Sequence, residues 1–211
     1  RPTIGIFTNL GDAHQEGFSG LKQKADEKLK LFKEAEVLIY NSDDKLLEIA
    51  ILQAKLKASL FSWGKKADAK LKVLQVEKNG NTTMSLSYEK QQFDVEIPFT
   101  DDASVENALQ CICAMLFLNF KPEEIARKLL RLEPVAMRLE VKEGLNGCQI
   151  INDTYNSDLN SLGIALTLLN LQSYRKNLPR TLILSDILQS GYASGELYSL
   201  VANLVKTHQI S

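Results

Sequence analysis

The sequence predicts an α/β protein, with a mostly parallel sheet that carries helices on its faces and a small antiparallel sheet. Two observations predict this class. Short apolar strands alternate with amphipathic helices from Thr3 to Trp63 and again after Ala136, a pattern typical of parallel sheets. Between Leu71 and Ile97 three strand-like runs follow one another without a helix, which is typical of antiparallel pairing.

The elements of the first part follow in a regular order. The strand Thr3–Thr8 (TIGIFT) is a short apolar run that leads into a polar loop. The sequence Asn79-Gly80-Asn81 predicts a hairpin turn between two later strands. The remaining predicted elements are helices at Leu21–Glu34, Asp43–Lys57, Ser104–Leu118 and Pro122–Arg131, and strands at Val37–Tyr40, Ser59–Trp63, Leu71–Val76, Thr82–Tyr88 and Phe93–Ile97.

A short connector that contains Pro134 divides the chain into two predicted domains, residues 1–135 and 136–211. The predicted elements of the second domain are strands at Arg138–Lys142, Gln149–Asn152 and Arg180–Ser185 and helices at Leu159–Leu171 and Gly195–Lys206. Roughly 75 residues are few for a doubly wound domain, and the chain begins with arginine rather than methionine. We therefore expect the chain to be a piece of a longer protein.

The composition is that of an ordinary soluble protein, with 45% hydrophobic residues and a net charge of −1. This charge balance gives no indication of nucleic-acid binding. The longest apolar runs, such as Cys111–Leu118, are too short to span a bilayer. The three cysteines have neither metal-ligand spacing nor a CxxC pair. We therefore expect reduced thiols and a cytoplasmic location.

Polar clusters stand at three places where an open α/β sheet binds ligands. They are Asn9–Glu16 and Asn152–Asp158, each after a predicted strand, and Asp101–Asn107, where a loop enters a helix. Each cluster also has a purely structural explanation. His14 can cap or pack a loop, and Ser104 can cap a helix with Asn107 in its first turn. Asn152, Asp153 and Asn156 can be turn and cap residues before the next helix.

Lys28 is unusual because it falls on the apolar face of its predicted helix. At about 100° per residue, that face consists of Leu21, Ala25, Leu29 and Phe32, and Lys28 projects between Leu31 and these neighbours. Lys22, Lys30 and Lys33 point away. Apolar surroundings disfavour the charged amine, which makes it a nucleophile that can be modified. The structural alternative is a side chain that reaches solvent from the edge of the stripe.

Several short motifs occur in a distinctive order. They are TNLGDAHQEGF after the first strand, EKLKLF, NSDD, ENA, PVAMRL and NDTYNSD. In their residues and their order, these motifs resemble those of the Mur ligases, ATP-dependent amide-forming enzymes of peptidoglycan synthesis. AHxEGF and DTYN most resemble the branch that adds D-alanyl-D-alanine to UDP-N-acetylmuramoyl-tripeptide. The run LILSDILQSG resembles the form of that enzyme fused to an alanine racemase.

The resemblance implies the end of a central ATPase domain followed by the start of a Rossmann-like C-terminal domain. Lys28 matches a lysine that is carbamylated, and His14 matches a histidine that ligates Mg²⁺; the carbamate oxygens would ligate or orient that ion. The implied nucleotide contacts are Asn107 at the adenine, Arg138 on ATP and Asp153 at or near the ribose, with Tyr155 and Asn156 continuing the same loop. On a helical wheel, Asn107 lies opposite the apolar stripe of its predicted helix, as a ligand contact requires.

Departures from the family pattern leave alternatives open. Ala103 and Ser104 stand where the family often has His-Asn, Asp158 stands where an asparagine is common, and no GxxxxGK[ST] phosphate loop occurs in the chain. One alternative is a folylpolyglutamate-type ligase, which shares the fold and the ATP chemistry. Another is a non-catalytic module that keeps the fold as a scaffold for a fused racemase. The resemblance also implies that this chain alone does not ligate.

Overall fold

The six strands of the first unit form one mixed sheet. The computed structural model describes residues 2–10, 20–133, 135, 137–176, 179–188 and 190–210, which divide into a unit up to residue 133 and a second unit from residue 135. The strands lie in the order β1 to β6, parallel from β1 to β4 and antiparallel from β4 to β6. Their bounds are β1 Ile4–Phe7, β2 Val37–Asn41, β3 Ser59–Gly64, β4 Leu71–Asn79, β5 Asn81–Tyr88 and β6 Gln91–Ile97. The α/β prediction is confirmed, and the three antiparallel strands extend the parallel sheet.

Helices cover both faces of the parallel part of the sheet. The helices are α1 Leu21–Leu29, α2 Lys45–Ala54, α3 Asp102–Phe117 and α4 Pro122–Leu129. Val37 and Ile39 of β2 pack in the core formed with α3 and α4. Leu38 and Tyr40 pack in the core formed with α1 and α2. Because successive strand residues point to opposite faces, this alternation places β2 between two helical layers.

Two helices end at least three residues earlier than the sequence predicts. The helix predicted to reach Glu34 ends at Leu29 and tightens into a 3₁₀ turn at Lys30–Phe32, which is common at helix ends. That turn brings the Phe32 ring against Gly5, where a Cβ would lie only 2.5 Å from Cδ1 of the ring. The next helix, predicted to reach Lys57, ends at Ala54 because Lys55 adopts a left-handed backbone, with φ 46°.

The hairpin between β4 and β5 turns where the sequence predicts. Asn79 and Asn81 are paired directly across the turn. Gly80 between them has φ +80°, a conformation that glycine adopts without steric cost. The predicted hairpin is confirmed.

Within its described residues, the second unit has a small hairpin, a 3₁₀ turn at Leu145–Gly147 and two α-helices. Its strands are β7 Glu140–Glu143 and β8 Gln149–Asn152, which pair antiparallel. Its helices are α5 Leu159–Lys176 and α6 Ser194–Thr207, and their apolar faces pack around Leu166 and Val201 together with Ile187. The predicted domain boundary between residues 135 and 136 stays a prediction.

The strand predicted at Arg180–Ser185 is wrong, because no strand forms among the described residues 179–188. Ile183 is 93% exposed there. Arg180 instead donates hydrogen bonds to Oδ1 of Asn170 (2.6 Å) and to the carbonyl of His208 (3.0 Å). A strand needs a partner for its backbone groups, and the two strands described in this unit pair with each other.

None of the helices in the described part of the chain combines the length and the apolar character needed to cross a membrane.

Candidate functional site

The carboxyl ends of the parallel strands meet at one edge of the sheet, where open α/β sheets bind ligands. The segment after β2 is held there by its own polar residues. Ser42 donates from its backbone N–H to the carbonyl of Trp63 at 2.9 Å, and an Asp43 carboxylate oxygen accepts from the N–H of Lys65 at 2.8 Å. Asp44 caps α2 by accepting from the N–H of Leu47. The NSDD motif therefore ties β2 to β3 and starts a helix.

Lys28 lies near the end of β1. Its Nζ is 5.7 Å from the centroid of the Phe7 ring and donates to the carbonyl of Asn9 at 3.2 Å. Partial burial, and then the neighbouring positive charge of Lys24, lowers the pKa of the Lys28 amine. The predicted partly apolar setting is confirmed, but Leu31 is not part of it because its side chain is 68% exposed. A larger fraction of the amine is therefore neutral at a given pH than for a solvated lysine.

Lys24 is a second lysine on this face, and the sequence reasoning missed it. Its side chain is only 3% exposed, so it is more deeply buried than Lys28. It precedes Lys28 by four residues, the spacing that places two side chains one above the other on a helix. That spacing was the available signal.

The residues of the ENA motif lie on different sides of helix α3, with Asn107 exposed and Ala108 buried. Asp101 caps the helix by accepting from the N–H of Ser104 at 2.8 Å, so the prediction of Ser104 as the cap is wrong. Asn107 lies in the second turn rather than the first, and its side chain is exposed. The prediction that Asn107 lies opposite the buried stripe is confirmed, and its amide is free to meet a ligand from solvent.

Glu106, next to Asn107 in the sequence, is half-buried. Burial, and then the negative charges of Asp102 and Asp44, raises the pKa of its carboxyl group. Asp44 is the cap of α2, so an acidic group from another element acts on Glu106. Sequence spacing does not reveal this proximity, because strands β3 to β6 lie between the two residues along the chain.

Gln110 fixes the segment that follows β1. Its side chain is 3% exposed, and its Nε2 donates to the carbonyl of Thr8 at 3.1 Å. Lys28 holds the next carbonyl, that of Asn9, from the opposite face of the sheet. Two helices on different faces therefore fix the start of the loop that carries His14. His14 itself lies outside the described residues.

Replacing Gln110 tests whether its hydrogen bond to the Thr8 carbonyl stabilises the fold. Gln110→Met keeps the side-chain volume and removes the amide, so the free energy of unfolding should fall by about 1 kcal/mol in a urea titration. Gln110→Glu should cost more at neutral pH than at about pH 4, because only the protonated carboxyl can donate to the Thr8 carbonyl. Burial raises the folded-state pKa of the introduced group, so the penalty is absent below its unfolded pKa of about 4.3 and grows above it.

Gln53→Met is the matched control, since Gln53 is exposed on α2. Its free energy of unfolding should stay within about 0.5 kcal/mol of the original chain. An equal change in the free energy of unfolding for Gln53→Met and Gln110→Met would show that the Gln110–Thr8 hydrogen bond does not stabilise the fold.

In the second unit, three of the predicted site residues lie together. The guanidinium carbon of Arg138 is 4.3 Å from the centroid of the Tyr155 ring. Asp153 Oδ1 accepts from the N–H of Leu139 at 3.1 Å. Burial raises the pKa of Asp153, while the Leu139 N–H and the charge of Arg138 act in the opposite direction. Arg138 lies in a turn before β7 and not in the strand predicted to start there.

The end of the NDTYNSD motif caps the N-terminus of α5. Asp158 accepts from the N–H of Ser161 at 2.8 Å, and the Ser161 hydroxyl accepts in return from the N–H of Asp158. This reciprocal pair is a helix cap. Asn156 is exposed between this cap and Tyr155. Lys28 and Asn107 belong to the first unit.

The described residues do not fit a Mg²⁺ site as they stand. No group of three or more His, Cys, Asp or Glu side chains within the described ranges is arranged to hold a metal ion. The Lys28 amine is not an oxygen ligand of the kind that Mg²⁺ prefers. A side-chain amide such as that of Asn107 can pair with a base, and a guanidinium group such as that of Arg138 can pair with phosphate.

A mixed sheet with polar groups at its carboxyl edge is a common nucleotide-binding architecture. Comparison of the sequence with known families shows which family this chain belongs to. The chain belongs to the Mur ligase family, because residues 1–115 match the Mur ligase middle domain. It is 30% identical over 194 residues to the UDP-N-acetylmuramoyl-tripeptide–D-alanyl-D-alanine ligase of Bacillus subtilis (strain 168). The match covers 90% of this chain and 40% of that protein, so the chain spans about two fifths of its length.

Solved structures show the same fold. The chain is similar to MurF from Acinetobacter baumannii, with a TM-score of 0.80, 21% identity, and coverage of 97% of this chain and 45% of the other. It is also similar to the MurF ligase from Thermotoga maritima in complex with ADP, with a TM-score of 0.73, 18% identity, and coverage of 97% and 46%. The family resemblance found in the sequence is confirmed.

Proposed function

We propose that this chain is part of an ATP-dependent carboxylate–amine ligase of peptidoglycan precursor synthesis. Its reaction adds D-alanyl-D-alanine to UDP-N-acetylmuramoyl-tripeptide. The observation that carries the proposal is the 30% identity to the ligase of that name along 90% of the chain. Because ATP and UDP-linked precursors are cytoplasmic compounds, the proposed place of action is the cytoplasm.

The proposed reaction has two steps. A carboxylate oxygen of the tripeptide attacks the γ-phosphorus of ATP, which forms an acyl phosphate and releases ADP. The amine of D-alanyl-D-alanine then attacks the acyl carbon, and the tetrahedral intermediate collapses to an amide with loss of phosphate and a proton. The protein's contribution to such a reaction is positioning and electrostatic stabilisation.

The proposed residue roles follow from the family resemblance and fit the chemistry of the side chains. The exposed Asn107 amide would pair with the adenine, and the Arg138 guanidinium would contact an anionic group of ATP, with Asp153, Tyr155 and Asn156 forming the neighbouring loop. Carbamylation would convert the Lys28 amine into a carboxylate-like group, and His14 would act with it. Mg²⁺ is proposed as a cofactor only in that modified state, where it would neutralise phosphate charge.

The test is a coupled assay of phosphate release by the full-length product of the gene that encodes this chain. We expect release with ATP, UDP-N-acetylmuramoyl-tripeptide and D-alanyl-D-alanine together, and no amide product when any one of them is omitted. The 211-residue chain alone should not ligate. Activity with a folate and glutamate instead would favour the folylpolyglutamate-type alternative.

A full-length protein that ligates none of these substrates would contradict the proposal and favour the scaffold alternative. A covalently attached alanine racemase domain remains a separate prediction, suggested by the sequence LILSDILQSG. The full coding sequence decides it directly, because a racemase domain would be encoded in the same reading frame.

A further inference from the structure

The turn that carries Arg138 is strained on both sides of the arginine. Met137 has φ 60° and Leu139 has φ 49°, so both neighbours adopt the left-handed conformation that favours glycine. Each such residue costs on the order of 1 kcal/mol or more and persists only where surrounding contacts hold it. The turn therefore depends on its contacts.

The loop after β8 supplies those contacts. The N–H of Tyr155 donates to the carbonyl of Met137 at 3.2 Å. The N–H of Leu139 donates to Oδ1 of Asp153 at 3.1 Å. A third bond runs from the N–H of Met137 to the Glu140 carboxylate at 3.2 Å. Both strained residues are thus fixed by neighbouring groups, while the side chain between them stays exposed.

The Arg138 side chain is held by a ring. Its guanidinium carbon lies 4.3 Å from the centroid of the Tyr155 ring, the distance of a cation stacked on an aromatic face. No hydrogen bond or ion pair within the described residues uses the guanidinium N–H groups. A planar guanidinium stacked through its face keeps its N–H donors at the edge, where they can pair with phosphate or carboxylate.

We propose that Tyr155 is a positioning residue whose ring holds the guanidinium plane of Arg138, so that its N–H edge faces an anionic group of the nucleotide. The proposal deepens the proposed function and depends on it for the identity of the anion. Tyr155 then acts through Arg138 rather than by its own contact with ATP. The strained turn and the ring serve the same purpose, since one fixes the backbone of Arg138 and the other its side chain.

The first experiment measures the stack without any activity. In the 211-residue chain, the side-chain protons of Arg138 should show upfield ring-current shifts in NMR spectra. Tyr155→Phe keeps an aromatic ring and should keep these shifts, whereas Tyr155→Leu should abolish them. Circular dichroism controls for the folding of both variants. Arg138 shifts that are the same in Tyr155→Leu as in the original chain would overturn the proposal.

The second experiment measures the consequence in the full-length ligase. Tyr155→Leu should raise the KM for ATP roughly two- to fivefold, which corresponds to the stacking energy of an exposed cation on a ring, and should change kcat less. Tyr155→Phe should restore the original KM. In an Arg138→Ala background, Tyr155→Leu should add nothing further, because its partner is already absent.

The outcomes separate the two proposals. Additive effects of Tyr155→Leu and Arg138→Ala would show that Tyr155 contacts the nucleotide itself, and would overturn the positioning role. An unchanged KM for ATP in Arg138→Ala would overturn it as well. If the full-length protein does not ligate, the proposed function fails, and the NMR experiment still decides whether Tyr155 orders the arginine.

Discussion

Lys28→Ala should lower kcat of the full-length ligase by about 10³-fold or more, the scale of losing a group that stabilises the transition state. The free energy of unfolding should change by only about 1 kcal/mol, because the main described polar contact of the amine is one hydrogen bond to the carbonyl of Asn9. The measurements are single-turnover ligation and urea unfolding of the same preparations.

Two further variants make this test specific for a carbamate. Lys28→Arg keeps the positive charge and cannot be carbamylated, so it should be as inactive as Lys28→Ala. Lys30→Ala should keep the original activity, since Lys30 lies in the next turn, exposed and paired with Glu27 at 2.5 Å. Full activity of Lys28→Arg would exclude the carbamate.

Carbon dioxide provides an independent measurement. Only the neutral amine reacts with carbon dioxide, and burial lowers the pKa of Lys28, so the modification should form at lower pH than on an exposed lysine. Ligation should therefore fall in carbonate-depleted buffer and recover when bicarbonate is added. At a constant partial pressure of carbon dioxide, recovery should become faster as pH rises towards the pKa of Lys28 and level off above it. Activity that is indifferent to bicarbonate would contradict the hypothesis.

Asn107→Ala should raise the KM for ATP by about tenfold or more and remove the preference for ATP over ITP. A side-chain amide pairs with both the amino group and N7 of adenine. The 6-oxo group of hypoxanthine would face the amide carbonyl instead and leave it unpaired, a cost of about 1–3 kcal/mol. The measurement is kcat/KM for ligation with each nucleotide, in the original enzyme and in the variant.

Cys111→Ser controls for a disturbance of α3, since Cys111 lies one turn beyond Asn107 and outside the proposed site. It should leave the ATP preference unchanged. An unaltered ratio of ATP to ITP in Asn107→Ala would show that another residue reads the base, and would remove Asn107 from the proposed nucleotide contacts.

Much of the fold could be predicted because its signals are local. The apolar run of β2 and the Asn79-Gly80-Asn81 turn are visible within a few residues, and both are confirmed. The strand predicted at Arg180–Ser185 has an equally suitable composition and does not form. Strand formation depends on a neighbouring strand, which lies elsewhere in the chain, so composition cannot guarantee it.

The site residues likewise divide into those that local spacing predicts and those whose contacts only the tertiary structure shows. Helical spacing places Lys28 near apolar residues and Asn107 on an exposed face, and both placements are confirmed. The same spacing could have indicated Lys24. It could not have indicated that Asp44 raises the pKa of Glu106 or that Gln110 holds the carbonyl of Thr8. These contacts join elements that are distant in sequence.

The sequence by itself determined the family, the α/β class and the residue types that could handle a nucleotide, because these depend on motif order and on periodicity within single elements. Only the tertiary structure decided how far the Lys28 amine is buried and that Arg138 is fixed between two strained residues against the Tyr155 ring. The physical reason is that burial, strain and stacking depend on groups brought together by folding. Their energies depend on distances that no local pattern encodes.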